Sequence, residues 1–189
     1  MNRNLNQVAC IGSGLIGQGW ATLFAAAGYV VTMQDLGDDI LKSATDQVSL
    51  NLRHLEDNGR LHNQTAAGAL SHVRTTLSLA EAVKNADFIQ ESVPDTYAAK
   101  KAVFKEMDRL SPGDTIIASS SSGLLMSEIQ TDLARPERCV LAHPFLPVHL
   151  LPLVEVVGGN QTVPETVDIT CRLMEKIGKA PVQLKKEVS

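Results

Sequence analysis

Short apolar runs alternate with longer helical patterns along most of the chain, and this order limits the fold more than any other feature. The runs at 8–11, 30–34, 73–76, 88–91, 115–119, 139–143, 153–157 and 181–185 read as strands. Helical patterns at 15–27, 38–58, 79–84, 96–110 and 164–177 lie among them. Strand, helix, strand in sequence sets successive strands parallel in one sheet, with helices on both faces. The expectation is an α/β fold: a doubly wound, mostly parallel sheet of about eight strands. One pair is irregular, because 139–143 and 153–157 are joined by a proline-rich loop and not by a helix. The segment 59–72 reads as a loop.

A chain of 189 residues suits one globular domain, or one with a fragment of a second. A net charge of -4 with no basic cluster argues against nucleic acid as a partner. No apolar run is long enough to span a membrane, and Met1-Asn2-Arg3-Asn4 lacks the order of a signal peptide. Cys10, Cys139 and Cys171 are odd in number and widely spaced. They read as buried thiols of a cytoplasmic protein, forming neither a disulfide framework nor a metal site. Aromatics make up only 4% of residues, so Ala, Val, Leu and Ile must fill the core.

The stretch "VACIGSGLIGQGWATLFAAAG" (8–28) carries Gly12, Gly14 and Gly17 between a predicted strand and a predicted helix. In that context the glycines form a dinucleotide-binding fingerprint of the Rossmann type. Gly12 permits the tight turn, Gly14 lets the backbone approach a pyrophosphate, and Gly17 lets the helix lie against the strand. The free amides at the helix start hold the phosphates, with Ser13, Leu15 and Ile16 beside them. A glycine-rich turn without a ligand is the bland alternative. Asp35 ends the second strand, 18 residues past Gly17. A carboxylate there accepts hydrogen bonds from the adenosine ribose and repels a 2′-phosphate, so the cofactor reads as NAD. A helix N-cap is the competing role for Asp35.

The stretch "AHPFLPVHLLPLVE" (142–155) holds Pro144, Pro147 and Pro152 between His143 and Glu155. Each proline removes a backbone donor and fixes a dihedral, so this path is neither a continuous helix nor a central strand. His143 ends one predicted strand and Glu155 lies early in the next. A stiff loop can return the carboxylate beside the imidazole.

"GSGLIGQGWA", "IQESVPD", "ASSSSGLL" and "HPFLPVHLLPLVEVVGG" stand in one order and at set separations. Together they resemble the N-terminal NAD-binding domain of the 3-hydroxyacyl-CoA dehydrogenase family. The segment 59–72 and "LPLVEVVGG" are most similar to the branch of L-carnitine dehydrogenase and lambda-crystallin (L-gulonate dehydrogenase). The resemblance implies NAD-dependent oxidation of a 3-hydroxy acid or 3-hydroxyacyl-CoA to the 3-oxo compound. It makes His143 the general base, and Glu155 the carboxylate that fixes its tautomer. It matches Ser122 to a serine that hydrogen-bonds the reacting oxygen, Asp95 to a cofactor contact and Lys100 to a lysine near the nicotinamide ribose. On helical pattern alone, Lys100 and Lys101 read as a solvated face, and Ser119–Ser121 as a plain turn. His149 matches no catalytic role, and His54, His62 and His72 read as surface residues.

Three departures bear on function. Leu146 stands where the family motif has Asn, which offers a donor and an acceptor that Leu lacks. Asn58 stands where acyl-CoA members carry a lysine, with Arg53 and Arg60 as possible substitutes. The family continues past the position of Ser189 into a helical domain that supplies substrate contacts and a homodimer interface. This chain alone is therefore expected to be inactive. The rival expectation is a non-catalytic NAD-binding module, a sensor or a crystallin-like structural protein.

Overall fold

The computed structural model describes residues 5–61 and 64–187. The chain start and His62, both interpreted above, lie outside them. The strands are β1 (Gln7–Ile11), β2 (Val30–Gln34), β3 (Val73–Thr76), β4 (Phe88–Glu91), β5 (Ile116–Ser119), β6 (Cys139–Pro144), β7 (Leu153–Gly158) and β8 (Ala180–Gln183). They form one sheet in the order β3-β2-β1-β4-β5-β6-β7-β8. The order reverses beside β1, so the crevice between β1 and β4 opens at the carboxyl edge where doubly wound sheets bind ligands. The expected doubly wound architecture is thus the one observed.

Burial on both faces explains why the central strands read as continuous apolar runs. In β1, Val8 and Cys10 face one core with Trp20, Phe24 and Val48. Ala9 and Ile11 face the other with Phe104, Met107 and Ile117. The first core is covered by α1 (Leu15–Ala26), α2 (Asp38–Asp57), α3 (Ala66–Leu70) and α7 (Pro164–Lys176). The second lies under α4 (Leu79–Val83), α5 (Tyr97–Leu110) and α6 (Met126–Ile129). Asp108 near the end of α5 meets Arg138 at 2.8 Å, and both are buried. That pair fixes the turn that leads into β6.

Several expectations need correction. The segment 59–72 is not all loop: α3 forms within it, its first turn capped by the Thr65 hydroxyl, which accepts from the Gly68 amide. The last strand ends at Gln183, two residues before the expected end. Cys10 and Cys139 are buried, and burial pushes both thiols up to about 12, whereas Cys171 is only half-buried. His72 is half-buried, with a buried Nδ1 that has no partner among the described residues. No helix among those residues is long and apolar enough to cross a membrane.

The irregular strand pair resolves simply. Eight residues separate Pro144 from Leu153. A parallel crossover needs about a dozen or more, so β7 turns back and runs antiparallel to β6.

Candidate active site

The glycine loop is built by three different constraints. Gly12 has φ +86°, and a Cβ there would lie 2.8 Å from the Ser92 carbonyl. A Cβ on Gly17 would collide with the Gly12 carbonyl oxygen, so only glycine lets α1 approach β1. Gly14 has no such neighbour, since its Cβ would meet nothing within 4 Å. The fold leaves that space open for a ligand. Gly14 is also the N-cap of α1, without a side-chain cap, whereas α4 and α5 are capped by Ser78 and Thr96. Open space, free amides and a helix start together fit a pyrophosphate.

Asp35 is half-buried beside this loop. Its carboxylate accepts from the Ser13 amide at 2.6 Å and from the Leu36 amide at 2.7 Å. It is not the N-cap of α2, a position that Gly37 holds. Ser13 is buried, and Leu15 is exposed at the first turn of α1. Ile16 lines the adjoining cleft.

A cleft of about 320 Å³ is lined by Ile16, Asp95, Lys100, Ser122, His143 and Leu146, together with Ser92 and Ser120. The cleft gathers residues from the ends of β4, β5 and β6 and the start of α1. His143 and Glu155 are directly opposite in the β6–β7 ladder, so their side chains emerge on one face. The His143 Nδ1 lies 3.0 Å from Glu155 Oε2. With Nδ1 engaged, Nε2 remains for the cleft. Phe145 packs against the imidazole, with ring centroids 5.1 Å apart. Ser122 is exposed on the loop after β5.

Lys100 departs from the solvated face suggested by helical pattern. It is 1% exposed. Its ammonium donates to both oxygens of Glu91, at 2.8 and 3.0 Å, and to the Val93 carbonyl at 3.3 Å. Burial raises the Glu91 pKa, and Lys100, the Ser119 hydroxyl and the Val93 amide pull it back. Lys100 therefore forms the floor of the cleft, with its protons shared inside the protein. Asp95 lies 3.7 Å from it and accepts from the Ser121 hydroxyl at 2.6 Å. Lys101 is half-exposed and donates to Thr131.

Sequence reasoning missed Gln90, Glu91, Ser92, Ser120 and the indole of Trp20 as parts of this site. The available signal was polar: Gln90 and Glu91 end a strand that is otherwise apolar and fully buried. A second cavity of about 780 Å³ lies between the ends of α1 and α7 and includes His149. None of the predicted site residues lines it. Burial and the nearby charges of His54, Lys179 and Arg60 lower the His149 pKa.

A mostly parallel sheet with a topological switch, an open glycine loop and an acidic residue just past β2 define a dinucleotide-binding α/β domain. Residues 7–188 match the family model described as 3-hydroxyacyl-CoA dehydrogenase, NAD binding domain. The chain belongs to this family, and the cofactor of the matched domain is NAD. The lambda-crystallin homolog of Mus musculus is 40% identical over 96% of the chain and 57% of its own length. The L-carnitine dehydrogenase of Bacillus cereus is 40% identical over 100% of the chain and 57% of its own length. The Escherichia coli 3-hydroxybutyryl-CoA dehydrogenase structure superposes with a TM-score of 0.90 at 30% identity, covering 96% of this chain and 38% of that one. The chain thus spans little more than half the length of the curated relatives it matches.

Proposed function

We propose that this domain serves an NAD-dependent dehydrogenase that oxidises a 3-hydroxy acid or its CoA thioester to the 3-oxo compound. The observation that carries the proposal is the His143–Glu155 pair, 3.0 Å apart, with His143 lining the same cleft as Ile16 of the glycine-loop helix. The relatives' names support the substrate class, since L-carnitine and 3-hydroxybutyryl-CoA both carry a 3-hydroxyl. NAD, when bound, supplies the hydride acceptor. His143 Nε2 takes the proton of the 3-hydroxyl as that oxygen becomes a carbonyl. Glu155 holds Nδ1 protonated and stabilises the imidazolium that results. The Ser122 hydroxyl hydrogen-bonds the reacting oxygen and orients it toward His143. Asp95 and the buried Lys100–Glu91 pair shape the wall on the cofactor side.

Ser122 and Leu146, which line the cleft, are exposed, and water in such a cleft weakens electrostatic help to the reaction. We therefore expect the 189-residue chain alone to bind NAD with negligible turnover, and to work with a second, helical domain in a homodimer. The test is a substrate panel with NAD: L-carnitine, L-gulonate, 3-hydroxybutyrate and 3-hydroxybutyryl-CoA. It is run on the chain alone and on the chain fused to the C-terminal portion of the Bacillus cereus relative. NADH formation by the fusion with one of the four supports the reading. NAD binding without NADH formation from any of them favours the non-catalytic module, to which Leu146 in the cleft lends support.

A further inference from the structure

Beneath the cleft lies a polar cluster that the proton transfer does not use. Trp20 and Gln90 are 0% exposed, and Ser120 is 5% exposed. The Trp20 Nε1 donates to Ser120 Oγ at 3.1 Å, and the Gln90 Nε2 donates to the same oxygen at 2.9 Å. The Ser92 Oγ lies 2.9 Å from it on the other side. An indole N–H can only donate, and so can an amide NH₂. Ser120 Oγ therefore has both lone pairs occupied, and its single proton goes to Ser92. In this orientation the Gln90 Oε1 has no partner among the described residues. Turning the amide over would bury two N–H groups without an acceptor, which is the rarer arrangement in proteins.

The consequence falls on Ser92. Its oxygen accepts from Ser120, so its own proton is left for the cleft that Ser92 lines with Ser122 and His143. Ser92 also backs the glycine loop, because its carbonyl carbon and oxygen lie 2.8 Å from the position a Cβ on Gly12 would take. A group between that loop and His143 meets the nicotinamide end of NAD, whose ring must come within reach of the carbon that His143 serves. The carboxamide is the ring's polar substituent, and its oxygen is an acceptor. Burying three polar side chains costs stability unless each is satisfied. Here they set the direction of one half-buried hydroxyl at the cleft.

We propose that Ser92 is a further cofactor-binding residue whose hydroxyl, oriented by the Trp20–Gln90–Ser120 relay, donates a hydrogen bond to the nicotinamide carboxamide oxygen. The proposal rests on the NAD site described above. It says which end of NAD is held and fixes the orientation of the ring.

The test is calorimetric binding of NAD, ADP-ribose and the thionicotinamide analogue of NAD to the protein and to Ser92→Ala. ADP-ribose keeps both riboses and both phosphates but lacks the ring, and the analogue's sulfur is a poor acceptor. Ser92→Ala should weaken NAD about three- to tenfold, the worth of one neutral hydrogen bond, and leave ADP-ribose unchanged. The parent should discriminate against the analogue by a similar factor, and the variant should not. Unchanged NAD affinity in Ser92→Ala overturns the proposal. Equal losses for NAD and ADP-ribose also overturn it, because the serine would then only shape the loop. A parent that binds neither ligand overturns the NAD site itself, and this proposal with it.

Discussion

Gly14 and Gly17 stand three residues apart and should fail in opposite ways when a methyl group is added. On Gly17 the new Cβ would overlap the Gly12 carbonyl oxygen and lie 2.9 Å from its carbon. Gly12 cannot retreat, because φ +86° and the Ser92 backbone behind it fix its place. Helix α1 must therefore move, and α1 carries the buried Trp20 and Phe24. Overpacking of this kind costs about 3 kcal/mol or more. For a domain of this size that lowers Tm by roughly 6–12 °C. On Gly14 the methyl meets nothing within 4 Å, and φ -68° suits alanine. Stability should hold or rise by about 0.4–1 kcal/mol through the unfolded chain. The methyl instead occupies the space where a pyrophosphate must approach. A clash worth about 1–3 kcal/mol weakens NAD by roughly five- to a hundred-and-fiftyfold. Thermal unfolding and calorimetric titration of Gly14→Ala and Gly17→Ala measure both effects. The reasoning is refuted if Gly14→Ala unfolds as early as Gly17→Ala, or if it binds NAD as tightly as the parent.

Three further outcomes follow from individual side chains. If Asp35 contacts the adenosine ribose, NAD should bind at least about tenfold tighter than NADP, roughly 1.4 kcal/mol; comparable calorimetric affinities would sink that assignment. Lys179 is buried, its ammonium held by the Val148 and Leu151 carbonyls and 5.2 Å from the centre of the Trp20 ring, and desolvation lowers its pKa to about 8. Between pH 8 and roughly 10.4 the unfolded chain binds a proton at Lys179 that the fold does not, so this group adds stability as pH rises through that window. Denaturant unfolding should show the parent gaining on Lys179→Met from pH 8 to 10, and a constant gap would contradict this. In the fused enzyme, Leu146→Asn should keep or raise turnover if the position has merely drifted from Asn; a clear loss would assign Leu146 to an apolar wall that selects the substrate.

The alternation of strands and helices was legible because each central strand is buried on both faces and each long helix has one apolar face. The glycine loop was legible because its context, and not only its spacing, matched. The positions of α3 and α6, five and four residues long, were not: neither fills the gap between two apolar runs alone, as α4 does, so no alternation marks them. Lys100 was misread on pattern alone because its partner Glu91 lies on β4, across the turn that precedes α5, and no helical spacing reports such a pair. The His143–Glu155 pairing was within reach, because the proline loop forces a reversal of direction. The Ser92 relay was not, because Trp20, Gln90 and Ser120 come from α1, β4 and the loop after β5, and their joint meaning depends on which atoms donate.

The role of His143 is the centre of the account, and the measurement that bears on it most directly compares turnover with binding. The chain fused to the C-terminal portion of the Bacillus cereus relative is assayed beside its His143→Ala variant, with NAD affinity measured on both. Loss of a general base should lower kcat about a hundredfold or more and leave the NAD dissociation constant within about twofold. Full turnover in His143→Ala, or a loss of NAD binding that accounts for the loss of rate, would contradict the assignment.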